Sequence, residues 1–168
     1  MARALIVGCG CRGRALGKRL LEEGWAVRGT SRGESGMAEI GAAGIEPALA
    51  DPERPGTLLE LVGDVAVVHW LLGSAEGAPE LVEAIHGSRL ERLLERLVDT
   101  PVRGFVYEAA GSIDGATADR GAAAVGAAAG RWRIPVAVVE ADPGDPPAWV
   151  EAMLDATLQL AAPAGGAI

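Results

Sequence analysis

Short apolar runs alternate along the chain with segments in which apolar residues recur every three or four positions. The first pattern is typical of buried β-strands and the second of amphipathic helices. The apolar runs predict six strands, at residues 3–8, 26–31, 45–49, 64–72, 103–109 and 134–140. The helical spacing predicts six helices, at 12–23, 35–43, 54–62, 79–98, 116–131 and from Asp145 onward.

Local signals refine several of these elements. Pro47 has no backbone N–H to donate, which places the third strand near an edge of the sheet. The stretch 79–98 is interrupted at Gly87, where Ser88 and Glu91 match a capping box that opens a helix. Asp145, followed by two prolines, predicts the start of the last helix. The apolar face of that helix holds Trp149, Val150, Met153, Leu154 and Leu158.

Strands that alternate with helices predict an α/β fold, a doubly wound parallel six-stranded sheet with helices on both faces. The predicted strand order is 3-2-1-4-5-6. The length suits a single domain over residues 1–160 with no separate substrate domain, and residues 161–168 are predicted to be a frayed tail.

Composition excludes several classes of function. The formal charge of −8 disfavours nucleic acid as a partner, and no apolar run approaches the ~20 residues that span a bilayer. We therefore expect a soluble, cytoplasmic protein without a membrane partner. Cys9 and Cys11 are too few and too close for a disulfide framework, and with only two histidines we predict no metal site.

The sequence GCGCRG, residues 8–13, follows the first strand and opens the first helix, where it predicts a dinucleotide-binding loop. Gly8 permits the tight turn, Gly10 admits a pyrophosphate close to the backbone, and Gly13 lets helix and strand pack together. Free amides at the helix N-terminus would hold the phosphates. The predicted cofactor site therefore includes this whole loop, namely Gly8, Cys9, Gly10, Cys11, Arg12 and Gly13.

The end of the second strand favours NADP over NAD. No acid lies between Gly24 and Gly33 to bind ribose hydroxyls, whereas Ser31 and Arg32 offer a hydroxyl and a guanidinium to a 2′-phosphate. Arg12 is expected to reach the same region.

Arg32, Thr30 and Asp51 each have a second interpretation besides cofactor binding. Arg32 is otherwise a solvated charge, and Thr30 otherwise only ends its strand. Asp51, after the third strand, either contacts the adenine or simply opens a turn before Pro52.

With these motifs the chain resembles the short-chain dehydrogenase/reductase superfamily, in its atypical and extended branch of NAD(P)-dependent epimerase/dehydratase-like Rossmann proteins. The resemblance covers about residues 3–145. Beyond GCGCRG and GTSR (29–32), it is carried by VVHWLLGSA (67–75), GFVYEAAGS (104–112) and VVEADPG (138–144). It implies cofactor contacts from Leu71, Leu72 and Gly73, and places Pro143 and Gly144 near the nicotinamide.

The resemblance fails at the residues that carry the family's chemistry. The family uses a tyrosine and a lysine four residues later, usually on the helix after the fifth strand. The only tyrosine here, Tyr107, lies inside that strand and is followed at the lysine position by Gly111, and the only lysine is Lys18. Ala109 and Ala110 stand where the family commonly has serines.

Three hypotheses follow. The chain is a non-catalytic or regulatory NADP-binding protein; or it is an NADP-dependent oxidoreductase or epimerase-like enzyme with unconventional acid–base residues; or it is an interaction module. Helices 116–131 and 88–98 are candidates for a homodimer interface, although packing on the sheet explains their apolar faces equally well. The substrate and the catalytic residues are not predicted. Candidates for acid–base chemistry are His69, Ser74, Glu108, Ser112, Glu140 and Asp142.

Burial decides between the interpretations of several of these groups. We interpret His69 as a strand residue rather than a proton shuttle, and we expect Glu108 and Glu140 each to have a partner or an exposed face. Cys9 and Cys11 are either reactive thiols at a helix N-terminus or small residues tolerated in a tight loop.

Overall fold

The computed structural model describes residues 1–163 and contains one six-stranded sheet. All neighbouring strands pair in parallel, in the order β3-β2-β1-β4-β5-β6. This confirms the predicted Rossmann topology. The strands are β1 (Arg3–Val7), β2 (Ala26–Ser31), β3 (Glu46–Leu49), β4 (Val67–Trp70), β5 (Gly104–Glu108) and β6 (Val136–Val139).

Helices cover both faces of the sheet, as predicted, and divide the core in two. On one face α1, α2 and α7 enclose residues such as Ile6 and Trp149; on the other α3, α4, α5 and α6 enclose residues such as Trp70 and Phe105. The helices are α1 (Cys11–Glu22), α2 (Glu34–Ala42), α3 (Pro55–Leu59), α4 (Pro79–Ile85), α5 (Ser88–Leu97), α6 (Gly115–Trp132) and α7 (Pro146–Ala161).

Two local predictions are confirmed and one is wrong. β3, which contains Pro47, is an edge strand, and Asp145 caps α7 by accepting from the Ala148 amide at 3.3 Å. The capping box does not form, because α5 already begins at Ser88 and its N-cap is Gly87, which has no side chain to accept a hydrogen bond. Gly87 takes this place because its amide closes the tight turn after α4 by donating to the Ala84 carbonyl.

The buried face of α7 differs from the predicted one. Leu158, predicted on the buried face of α7, is 36% exposed, because the buried face continues through Thr157 instead. Ala161 still belongs to α7, and residues 164–168 of the predicted tail lie outside the described residues. Within residues 1–163, every helix falls short of the length and apolarity that a membrane crossing requires.

The leucine-rich face of α5 packs inside this chain. Leu90, Leu93, Leu94 and Leu97 are all buried in the core that α5 shares with α6 and the sheet. This face therefore serves the fold itself, and the homodimer stays a prediction without a surface assigned to it.

His69 is a core residue of β4, as we interpreted it from the sequence. Its Nδ1 lies 3.3 Å from the Leu5 carbonyl oxygen and its Nε2 2.7 Å from the Thr157 hydroxyl. Because the Leu5 carbonyl can only accept, a neutral imidazole carries its proton on Nδ1. The Thr157 hydroxyl then has one proton for two acceptors, His69 Nε2 and the Met153 carbonyl oxygen, each 2.7 Å away. Complete burial lowers the pKa of His69 from 6.5 to about 4, and burial also lowers the pKa of His86.

We predict that acid destabilises the fold through these histidines. In the unfolded chain His69 binds a proton below pH 6.5, while the folded chain resists protonation down to about pH 4. The free energy of unfolding should therefore fall as the pH drops through this window, by about 1.4 kcal/mol per pH unit through His69, and His86 should add to the fall because burial lowers its pKa too. Urea unfolding followed by tryptophan fluorescence measures it. His69→Gln should flatten the dependence, and an equally steep fall in that variant would contradict the assignment.

Candidate functional site

The loop between β1 and α1 has the backbone geometry of a phosphate cradle. Gly8 has φ +79°, and a Cβ there would lie 2.5 Å from the Leu71 carbonyl oxygen, so both conformation and space require glycine. Gly10 is the N-cap of α1 and has an ordinary negative φ. A Cβ on Gly10 would meet no protein atom within 4 Å, because this backbone faces open space.

The loop's own hydrogen bonds decide which amides are left for a ligand. The Gly8 amide donates to Thr30 Oγ1 at 3.4 Å, the Cys9 amide to the Thr30 carbonyl at 3.2 Å, and the Gly10 amide to the Gly8 carbonyl at 2.9 Å. Thr30 thus holds the loop from inside β2, which ends one residue later at Ser31. The first-turn amides of α1 follow an N-cap without a side-chain acceptor, and such amides favour an anion.

The loop opens into a cavity of about 580 Å³ at the carboxyl ends of the strands. Of the predicted cofactor contacts Gly73 is absent from its lining, as are Pro143 and Gly144, which were predicted near the nicotinamide. The Gly73 amide instead donates to Glu108 Oε1 at 2.9 Å, and a Cβ there would overlap the Ala110 carbonyl. The cavity brings together Gly8, Cys9, Gly10, Cys11, Arg12, Gly13, Thr30, Ser31, Arg32, Asp51, Leu71 and Leu72.

One end of the cavity lies over β2 and β3, where Ser31, Arg32 and Asp51 line it. Within residues 1–163, Arg32 is exposed and has no carboxylate at salt-bridge distance. Asp51 Oδ1 accepts from the Glu53 amide at 3.0 Å, as a turn residue does, and the residue also lines the cavity, so both of its interpretations stay open. The cavity lining also includes apolar side chains, namely Ala50, Leu72, Ala75, Val82 and Ile85.

Arg12 does not join Arg32, and that expectation is wrong. Its Nη2 lies 3.3 Å and 3.4 Å from the two carboxylate oxygens of Glu108 and 3.4 Å from Ser74 Oγ. The guanidinium also lies over the Trp149 ring, 5.4 Å from the ring centroid. Arg12 is therefore drawn towards β4 and β5, on the opposite side of β1 from Arg32, by the charge of a buried carboxylate.

Glu108 has the partners that a buried carboxylate requires. The side chain is fully buried and accepts from the Gly73 amide at 2.9 Å, from Trp149 Nε1 at 2.9 Å and from Arg12. Glu140 meets the other half of the same expectation by lying exposed. The role of Trp149 was missed, although an indole N–H on a predicted buried face signals a need for an acceptor.

An ion pair that was not predicted lies in the cavity wall. Arg14 Nη1 lies 3.3 Å from Glu39 Oε2, and both residues line the cavity. Glu39 is thereby engaged by a neighbouring arginine, and nothing in the spacing of α1 and α2 indicated this pair.

The acid–base candidates are dispersed. Ser74 and Glu108 line the 580 Å³ cavity, and His69 lies in the core. Glu140 and Asp142 line a second cavity of about 390 Å³ at the ends of β5 and β6. Ser112 is exposed and its amide donates to Ser74 Oγ at 3.3 Å. The structure thus assembles no triad from these six residues.

Tyr107, the only tyrosine, is part of the core. Its hydroxyl lies 2.6 Å from His86 Nδ1, and burial raises the pKa of the phenol above its ordinary range. His86 Nε2 in turn lies 2.8 Å from the Leu72 carbonyl oxygen. Tyr107 lines neither cavity and stabilises the packing of β5.

Comparison with known proteins identifies the fold. No family model matches the sequence, and no curated protein matches it either. Among solved structures, UDP-glucuronic acid 4-epimerase from Bacillus cereus with NAD is 16% identical, with a TM-score of 0.65 over 83% of this chain and 56% of that one. A short-chain dehydrogenase/reductase superfamily protein from Agrobacterium tumefaciens with bound NAD is 22% identical, with a TM-score of 0.65 over 81% and 48%.

Vestitone reductase from alfalfa is similar to the same degree, at 18% identity and a TM-score of 0.63 over 82% of this chain and 56% of that one. The chain shares the fold of these epimerase and reductase structures. The predicted resemblance is therefore confirmed at the level of the fold. The chain spans about half the length of these structures.

The two thiols of the loop differ in environment. Burial raises the pKa of Cys9 to about 12, whereas Cys11 is exposed. The inert interpretation therefore suits Cys9. Within residues 1–163, no three histidine, cysteine or acidic side chains are placed to share a metal ion.

We predict that only Cys11 reacts in the folded protein. Iodoacetamide attacks the thiolate, and at about pH 8 a thiol like Cys9 is almost wholly protonated and enclosed. Mass spectrometry should find one adduct on the native parent chain and none on native Cys11→Ser. The denatured parent chain should carry two adducts. Alkylation of Cys9 in native Cys11→Ser would contradict the burial described here.

Proposed function

We propose that this chain binds NADP(H) in the 580 Å³ cavity and acts as a non-catalytic or regulatory dinucleotide binder. The observation that carries the proposal is Arg32, a guanidinium free of carboxylate partners within residues 1–163, at the cavity wall beyond the glycine loop. A solvated guanidinium whose N–H groups are not engaged by a carboxylate is suited to bind a phosphate dianion.

The loop fits the pyrophosphate of such a ligand. The backbone at Gly10 faces open space, so that phosphate oxygens can approach closer than a side chain would allow. The N-terminus of α1 supplies free amides and the positive end of a helix dipole at the same place. Two structures with the same fold were solved with NAD, which supports a nicotinamide dinucleotide as the ligand class.

The preference for NADP rests on charge at the end of β2. An NAD site commonly offers a carboxylate to the adenine ribose, and the acid of α2 that lines this cavity, Glu39, is already paired with Arg14. Ser31 and Arg32 are the polar groups at the strand end itself. A 2′-phosphate there gains charge-assisted hydrogen bonds, whereas a bare 2′-hydroxyl leaves the guanidinium unused.

The non-catalytic role rests on where the only tyrosine and lysine lie. Tyr107 is enclosed beside His86, and Lys18 is exposed on α1, so they cannot act together on a ligand. Purified protein loaded with NADPH and offered a panel of carbonyl and quinone acceptors tests this role. Turnover that persists after repurification would favour the alternative, an oxidoreductase with unconventional acid–base groups.

We predict that Arg32→Ala narrows the preference for NADPH over NADH by about tenfold or more, because a hydrogen bond to a charged group contributes roughly 1.5–3 kcal/mol. Titration calorimetry with both cofactors measures the ratio of dissociation constants. Arg92→Ala, an exposed arginine on α5 distant from the cavity lining, is the matched control and should leave the ratio unchanged. An unchanged ratio in Arg32→Ala would remove Arg32 from the proposed role.

Gly10→Ala should weaken NADPH binding by about tenfold or more while leaving the fold intact, because the added methyl group occupies the place of a phosphate oxygen but no protein atom. Its matched control is Gly126→Ala on α6, where the methyl group also meets open space. The control should bind NADPH normally and raise the thermal midpoint through its better helix propensity. Equal affinity in both variants would show that no phosphate approaches Gly10.

A further inference from the structure

The segments that follow β4 and β5 contact each other and close the crevice between the carboxyl ends of these two strands. The Ile113 amide donates to the Gly73 carbonyl at 3.0 Å, and the Ser112 amide donates to Ser74 Oγ at 3.3 Å. Gly111, with φ +150°, passes so close to Gly73 that a Cβ would overlap the Gly73 carbonyl group. The segments after the two strands are therefore fastened to each other.

Side chains extend this closure from α1 to α7. Arg12 reaches from the first turn of α1 to Ser74 and Glu108, and its guanidinium covers the ring of Trp149, whose Nε1 donates to the same carboxylate. We call Arg12, Ser74, Glu108 and Trp149 the bridge. Glu108 is fully buried, so removing Arg12 from it would leave a buried charge with fewer partners. The bridge therefore resists displacement by an incoming ligand.

The bridge lies between two cavities. The 580 Å³ cavity extends from it past the ends of β4, β1, β2 and β3, and the 390 Å³ cavity lies at the ends of β5 and β6. Their linings share no residue, and the 390 Å³ cavity begins at Ala109, directly after Glu108. In a doubly wound sheet of this order a dinucleotide lies across the switch point, with one nucleotide on each side. The second nucleotide would need the space that the bridge fills.

We propose that the bridge keeps the nicotinamide half of NADP(H) outside the enclosed site, so that the chain binds the cofactor by its 2′-phosphoadenosine diphosphate half alone. The inference rests on the proposed function and deepens it. Oxidised, reduced and nicotinamide-free ligands then present the same groups to the protein. The site recognises the 2′-phosphate and the pyrophosphate and does not distinguish NADP⁺ from NADPH.

The first test uses the unmodified chain and three ligands, NADP⁺, NADPH and 2′-phosphoadenosine 5′-diphosphate, in titration calorimetry. The expected dissociation constants agree within about fivefold, which is about 1 kcal/mol. A preference of more than about fivefold for either nicotinamide form would overturn the inference and leave NADP(H) binding intact. Binding of none of the three ligands would instead overturn the proposed function, and this inference with it.

The second test opens the bridge. Arg12→Ala removes the guanidinium, and we expect NADPH to gain at least about fivefold in affinity relative to 2′-phosphoadenosine 5′-diphosphate. The ratio cancels any contact that Arg12 makes with phosphates common to both ligands. Arg92→Ala is the control and should keep the ratio of the parent chain.

A third variant covers the case in which Arg12→Ala does not fold. Arg12→Lys retains a cation, but an ammonium lacks the planar guanidinium that lies over the Trp149 ring while its Nη2 contacts Ser74 and Glu108. It should raise the same ratio in the same direction. A ratio that stays at the parent value in the folded variants would show that the bridge does not exclude the nicotinamide half.

Discussion

One buried carboxylate organises the functional end of this molecule. Glu108 ends β5 without any exposed surface, and a charge in that position is stable only if donors surround it. The Gly73 amide, the Trp149 indole and the Arg12 guanidinium supply them, from the end of β4, from α7 and from α1. The need to satisfy a single side chain thereby joins four elements at the edge of the sheet where ligands bind in this fold.

The partners of Glu108 explain why the arginines at the two ends of the cavity differ in how freely they can bind an anion. Over β2 and β3, Arg32 is exposed and unpaired among the described residues, so an anion can bind it at little cost in desolvation. Over β4 and β5, Arg12 is committed to Glu108, and a ligand group must first separate a partly buried ion pair. Two arginines of the same cavity are thus chemically different, because one has a buried counter-ion and the other has solvent.

Sequence predicted the parts of the structure that depend on local chain properties. Burial of a parallel sheet on both faces produces continuous apolar runs, so the six strands and their order were predicted correctly, and the glycine loop was found because Gly8 answers a local steric demand. Arg12 was misplaced because its partner Glu108 lies 96 residues away. The capping box at Ser88 failed because a tight interhelical turn placed Gly87 at the cap.

A contact between residues distant in the sequence also explains how β5 packs against the helix that follows it. Tyr107 points its hydroxyl at His86, and a Cβ at Gly121 of α6 would overlap that hydroxyl, so the glycine of a small-residue helix is the condition for a tyrosine in β5. The weak helix propensity of Gly121 is therefore offset by packing rather than by local sequence. Tyr107 and Gly121 pack directly against each other, so α6 lies close enough to β5 to enclose the phenol. A tyrosine held in this way serves the core, and it is not free to transfer a proton in a cavity that it does not line.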